Sequence, residues 1–183
     1  MAEESIFVQT ALEAARGLLQ PPLSIQRGAA LLYEVTVDNK LTLTVDPKHP
    51  VRGDSAFQTD LCVFESKEND ILIPRVVLEF KVKITTHDIL TYSAKARKHK
   101  NVYPYLRYGL IASNEAVVPR RFFIHNESLD FFAALKNTNV TELQNWFSNL
   151  ISAEVKTSRQ LESISFGGHR PQFFRTELQI EAV

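Results

Sequence analysis

The stretch Phe57–Ile84, FQTDLCVFESKENDILIPRVVLEFKVKI, decides how the rest of the chain is read. It predicts two strands joined by a polar turn, with Asp60 on the first and Glu79 and Lys81 on the second. Side chains alternate faces along a strand, so Glu79 and Lys81 point the same way. Val76, Leu78, Phe80, Val82 and Ile84 then form an apolar run on the other face. A hairpin centred on Asn69-Asp70 pairs residues whose numbers total 139, which sets Asp60 opposite Glu79. Opposed residues of an antiparallel pair share a face with Cβ atoms about 5 Å apart, close enough for two carboxylates to chelate one divalent cation. A slip of one residue at the turn would send Asp60 to the other face.

Two carboxylates and a lysine on one face are the parts of a metal-assisted hydrolase. The plainer alternative is a solvent-facing hairpin with a cross-strand ion pair, which surface pairs form at little gain. Cys62, Phe64 and Val77 share the expected face with the charges and point to partial burial. Charges among apolar neighbours need partners or a metal.

Outward from the hairpin, residues 4–19 read as a helix through Phe7, Ala11, Ala14 and Leu18, stopped by Pro21-Pro22. Ser24 is placed to cap a second helix to about Tyr33 or Val35, with Ile25, Ala29 and Leu32 as its stripe. The alternation in Leu41–Val45 predicts a strand, and the turn formers of Asp46–Ser55 a loop that leads into the strand of Asp60. After the hairpin, Thr85 or Thr86 caps a helix to about Lys100, with Asp88 in its first turn. Leu106–Ser113 reads as an apolar strand, set parallel to the strand of Glu79 by a right-handed crossover. Arg120–Ile124 is expected as a fifth strand and Ser128–Lys136 as helix. Thr141 and Gln144 form a capping-box pattern ahead of an amphipathic helix through Leu143, Trp146, Phe147, Leu150 and Ile151, a candidate homodimer face. Gln172–Ile180 is expected to be a last strand.

Composition narrows the function classes. Of the 183 residues 44% are hydrophobic and 23% charged, ordinary values for a globular chain of one domain. No run approaches the roughly 18 apolar residues of a membrane span. The acidic start and the single cysteine, Cys62, make an intracellular home, cytoplasmic or in the nucleoid or nucleus, the expectation, without disulfide or cysteine–zinc chemistry. Cys62 itself reads as a small core hydrophobe. The five histidines lack metal-ligand spacing, and no Gly-rich phosphate loop or nucleophile elbow is present. Although the net charge is zero, nine basic residues stand against three acidic ones between Glu79 and Arg121, an excess of six. Such a stretch suits a polyanion docking beside a metal site; read alone, a charge run is more often a solvated face.

With Asp60 and Glu79-Phe80-Lys81 so placed, the chain resembles the PD-(D/E)XK nuclease superfamily over roughly residues 24–125. Thr59 stands where the motif name has proline. The resemblance implies an α/β fold with a mixed central sheet and flanking helices, an αβββαβ restriction-endonuclease-like core, followed by a helical annex over about 126–183. It also implies a Mg2+-dependent DNA endonuclease, with Mn2+ as a substitute. Asp60 and Glu79 would hold the metal together with the Phe80 backbone carbonyl, and Lys81 would orient the attacking water. An added helix carboxylate would come from Glu34, with Glu13 as the other candidate. Lys83, Lys95, Arg97 and Lys98 would contact DNA phosphates, giving affinity without sequence information. Tyr103, Tyr105 and Tyr108 are either core residues or base-stacking partners. A non-catalytic nucleic-acid-binding relative and a protein–protein interaction module remain the competing expectations.

Overall fold

A computed structural model describes residues 2–136 and 139–180 of the chain. Helix α1 (Ala2–Arg16) leads into strand β1 (Leu23–Arg27), followed by the short strands β2 (Ala30–Leu32) and β3 (Ala56–Gln58). The hairpin follows as β4 (Leu61–Ser66) and β5 (Leu72–Lys81), then α2 (Thr86–Val102), β6 (Arg107–Ser113), α3 (Arg120–His125), β7 (Phe131–Leu135) and α4 (Val140–Ser165). The main sheet has the order β1-β4-β5-β6-β7, while β2 and β3 form a separate two-stranded ribbon. The first three strands of the sheet pair antiparallel and the last three parallel. The expected crossover from β5 through α2 to a parallel β6 is present. It starts from a complete capping box in which Thr85 and Asp88 satisfy each other's backbone amides.

Helices cover the sheet on both sides, so the apolar alternation of the hairpin fills two cores. Leu61, Val63, Val76, Leu78 and Phe80 pack with α1 and α4 through Phe7, Ala11, Leu143 and Phe147. Cys62, Phe64, Val77, Tyr108 and Leu110 pack on the opposite face with Ile89, Ala96 and Phe122 of α2 and α3. The face of Glu79, expected to be partly buried, is therefore core. Among the described residues no helix is long and apolar enough to cross a membrane.

The structure departs from the sequence reading in six places. The helix expected over Ser24–Val35 is two strands: Leu23, Ile25 and Arg27 alternate against β4, and Gly28 at φ +69° breaks any helical run. Among the described residues the Leu41–Val45 segment makes one isolated bridge, Val37 to Leu43, within a small local hairpin closed by the Asp38 amide to the Thr42 carbonyl and the Thr44 amide to the Thr36 carbonyl. Arg120–Ile124 is helix, with only Phe122 buried. Phe131–Leu135 is strand, since the apolar run continues the parallel sheet and Asp130 ties its start to the Tyr108 amide at 2.7 Å. Gln172–Ile180 has no regular structure and is exposed. Helix α4 is capped by Asn139, whose side chain accepts from the Glu142 amide, rather than by Thr141. It buries Leu143, Phe147, Ile151 and Val155 and leaves Trp146 39% exposed.

Candidate active site

The hairpin register brings the two carboxylates together. Leu61 pairs with Leu78, Cys62 with Val77 and Val63 with Val76, so this end of the hairpin holds the expected register and Asp60, one residue before β4, falls across from Glu79. Nearer the turn the pairing shifts to Phe64 with Pro74 and Glu65 with Ile73, leaving Arg75 as an extra residue on β5. The Phe80 amide donates to Asp60 Oδ2 at 2.9 Å, and the Asp60 amide lies 3.4 Å from Glu79 Oε2. Glu79, 2% exposed, receives two donors on Oε1: Lys95 Nζ at 2.7 Å and the Tyr108 hydroxyl at 2.5 Å.

These contacts leave one negative charge short of a partner. Burial, the adjacent Glu79 charge and a hydrogen bond shared with Glu79 push the Asp60 carboxyl up to about 6, while the Phe80 amide and Lys95 pull it the other way. Burial and then the charges of Glu79, Asp60, Glu4 and Asp88 push the Tyr92 phenol up, which places that ring near four carboxylates. The Lys95 and Lys81 ammoniums stand 5.1 and 5.8 Å from its centroid.

The other residues singled out from sequence are distributed differently. Lys81 forms a forked ion pair with Glu4 of α1, at 2.9 and 3.0 Å, instead of touching Glu79. Glu34 does not line the site; it is exposed and accepts from Ser55 Oγ at 3.0 Å, because its segment is the ribbon's margin rather than a helix over the sheet. Glu13 accepts from Gln9 on the surface of α1. The helix carboxylate near the site is Glu4. Phe7 packs edge-on against Phe80 with centroids 5.0 Å apart, and Glu4 lies one turn earlier on the same helix face. That i, i+3 spacing ahead of an expected core phenylalanine was the sequence signal for it.

Of the expected phosphate contacts, Lys95 grips Glu79, Arg97 lies 3.5 Å from Glu127, Lys83 is exposed just beyond β5, and Lys98 sits 5.0 Å from the Tyr33 ring centroid. Tyr103 takes the Leu32 amide on its hydroxyl, and Tyr105 and Tyr108 are buried, so these rings are core.

The carboxylates line an open cleft of about 740 Å3 together with Arg27, Arg52, Tyr33 and Phe57. Among the described residues no three His, Cys, Asp or Glu side chains converge as a metal cage. The oxygens left over nonetheless fit a hard cation that keeps several waters. Among the described residues Asp60 Oδ1 meets no donor and Glu79 Oε2 only the distant Asp60 amide. The N–H and C=O of one strand residue leave the same edge, so the Phe80 carbonyl, like its amide, faces the Asp60 side of β5. The raised pKa of Asp60 reflects its burial and then the Glu79 charge, and a bound cation would offset both. No protein-family model matches the chain, and no curated protein matches it in sequence.

Proposed function

We propose that this chain is a metal-dependent nuclease that hydrolyses DNA phosphodiesters, built on a PD-(D/E)XK-type core. The observation that carries the reading is the pairing of Asp60 with the buried Glu79, held in an open cleft with Lys95, among the described residues, as the one ammonium in contact with it. The order α1, β1, β4, β5, α2, β6, with the carboxylates where β4 and β5 part, supports the same core. Asp60 Oδ1, Glu79 Oε2 and the Phe80 carbonyl would hold Mg2+ or Mn2+, which when bound supplies an acidified water and charge stabilisation at the phosphate.

The chain's own groups do the rest. Lys95 and Tyr108 fix the Glu79 carboxylate in one rotamer, so that Oε2 faces the cleft. Lys95 also offsets part of the carboxylate charge that would repel a phosphate. Lys81, ion-paired with Glu4 beside Tyr92, orients the attacking water and meets the negative charge developing on the phosphate. The Phe80 amide anchors Asp60 as an ionised acceptor at pH above its raised pKa of about 6.

Incubating supercoiled plasmid with the protein and Mg2+ tests the reading. Nicking that disappears with EDTA and in Glu79→Gln supports it. Salt-dependent DNA retention with no cleavage in Mg2+ or Mn2+ would favour a binding protein on the same scaffold, a reading to which the engagement of Lys81 by Glu4 lends some weight.

A further inference from the structure

We propose that the part of the cleft lined by Tyr33, Phe57, Arg27 and Arg52 is a subsite for one unpaired nucleotide of a nucleic-acid strand. Its base lies against the Tyr33–Phe57 ring pair and its flanking phosphates meet Arg27 and Arg52. The inference deepens the nuclease reading by naming the form of nucleic acid that the cleft takes.

Two kinds of observation converge there. The first is charge. Most arginines and lysines near the sheet are neutralised: Arg75 by Glu65 and Glu162, Arg107 by Asp130 and Glu154, Lys81 by Glu4, Lys95 by Glu79. The two arginines that line the cleft have neutral partners instead. Arg27 donates to Gln9 Oε1 at 3.0 Å and Ser5 Oγ at 2.8 Å, and Arg52 to Gln58 Oε1 at 3.1 Å. Both are exposed, and among the described residues no carboxylate pairs with either. Two oriented guanidinium groups without counter-ions beside a carboxylate pair are a site for phosphates.

The second is shape. Leu31 pairs with Phe57 across the ribbon, and strand alternation sets Tyr33 on the face of Leu31, so the two rings meet diagonally. They stack with centroids 4.1 Å apart and planes 22° from parallel, and both line the cleft. Stacked aromatics next to cations are how single strands are held without reading their sequence. Among the described residues that line the cleft the one side-chain amide is Gln58, and it is already engaged, since Nε2 donates to the Gly28 carbonyl while Oε1 takes Arg52. Gly28 at φ +69° lets that turn pass against Gln58; a Cβ there would lie 2.7 Å from Nε2. Stacking without a free base-edge reader predicts tolerance of all four bases. A base still paired and stacked in a duplex cannot present its face to these rings.

Fluorescence anisotropy in EDTA, where cleavage is absent, tests this with a labelled single-stranded oligonucleotide and the blunt duplex of the same sequence. The single strand should bind more tightly than the duplex. Tyr33→Ala should weaken single-strand binding by about tenfold or more, while Tyr33→Phe retains it. Arg52→Ala, at an exposed position, should weaken binding and lower the salt slope by roughly 0.7. A large excess of a mononucleotide should fail to displace the strand, because it lacks the second phosphate. Equal or tighter duplex binding, unchanged single-strand affinity in both Tyr33→Ala and Arg52→Ala, or ready displacement by the mononucleotide overturns the subsite. Plasmid nicking with Mg2+ read in parallel separates the two proposals: nicking with Tyr33-independent binding leaves the nuclease and removes the subsite, and Tyr33-dependent binding without nicking does the reverse.

Discussion

Lys95 Nζ lies 2.7 Å from Glu79 Oε1, reaching from the third turn of α2 to a carboxylate that is almost wholly buried on β5. The Tyr108 hydroxyl meets the same oxygen. Removing the ammonium leaves Glu79 with a neutral donor and takes away one of the two groups that hold Asp60 down. Lys95→Met should lower kcat for plasmid nicking by roughly a hundredfold. It should also move the acidic limb of the pH–rate profile upward, since Asp60 then ionises at higher pH. An unmoved acidic limb would show that Lys95 does not act on the pair.

Asp60→Asn and Glu79→Gln each remove a metal-holding carboxylate and should abolish Mg2+-dependent nicking, by about a hundredfold or more, with the circular dichroism spectrum unchanged. Glu34→Gln and Glu13→Gln should leave nicking as it is, because neither side chain lines the cleft. Glu4→Gln should raise KM or lower kcat through the release of Lys81.

Stability against pH carries a further signature. Asp60, raised from 3.8 to about 6, binds its proton more tightly when folded, so its contribution is present at low pH and is lost as pH rises through about 6. His99 does the opposite. Burial lowers it to about 4, its Nδ1 hydrogen bonds the Leu32 carbonyl, and Nε2 has no partner among the described residues. Its contribution is lost as pH falls from its unfolded value, 6.5, toward 4. The two slopes oppose each other over the same window. Asp60→Asn should therefore raise stability at mildly alkaline pH by on the order of 2 kcal/mol. It should also expose a fall in melting temperature on acidification that the unmodified protein shows much less. A parallel pair of melting profiles would contradict the assignment.

Arg75 is fully buried on the α4 side of the sheet, bonded to Glu65 at 2.7 Å and Glu162 at 2.6 Å, with its guanidinium 5.4 Å from the Tyr105 ring centroid. Burial alone would raise Glu65, but Arg159 and Arg75 outweigh it and hold that carboxyl below its usual range. Arg75→Ala strands the carboxylates and should destabilise the protein by about 3–5 kcal/mol. Denaturant unfolding would measure it, and a loss within experimental error would show that the network is solvent-compensated.

Much of this architecture was written locally. The Phe57–Ile84 alternation gave both hairpin strands and the opposition of Asp60 to Glu79, and Thr85 with Asp88 announced α2. The misreadings share a cause, which is that periodicity reports faces and not neighbours. Ile25, Ala29 and Leu32 fit a helical stripe and a pair of strands equally well until β4 is placed beside them. The Phe131–Leu135 run became strand because β6 offered an open parallel edge. The grip of Lys95 on Glu79 and the pairing of Lys81 with Glu4 depend on long side chains crossing between elements, which sequence spacing within one element does not encode.

The irregularity at Pro74-Arg75 has a consequence for how this hairpin tolerates change. The turn-side pairs total 138 and the site-side pairs 139, so the tip of the hairpin and its chemical end follow different registers. A gain or loss of one residue in the Lys67–Ile71 tip can be taken up where Arg75 stands out of the ladder, before it reaches Asp60. The bulge works as an expansion joint: lineages of this chain could vary the length of the hairpin tip while the distance between the two carboxylates stayed the same.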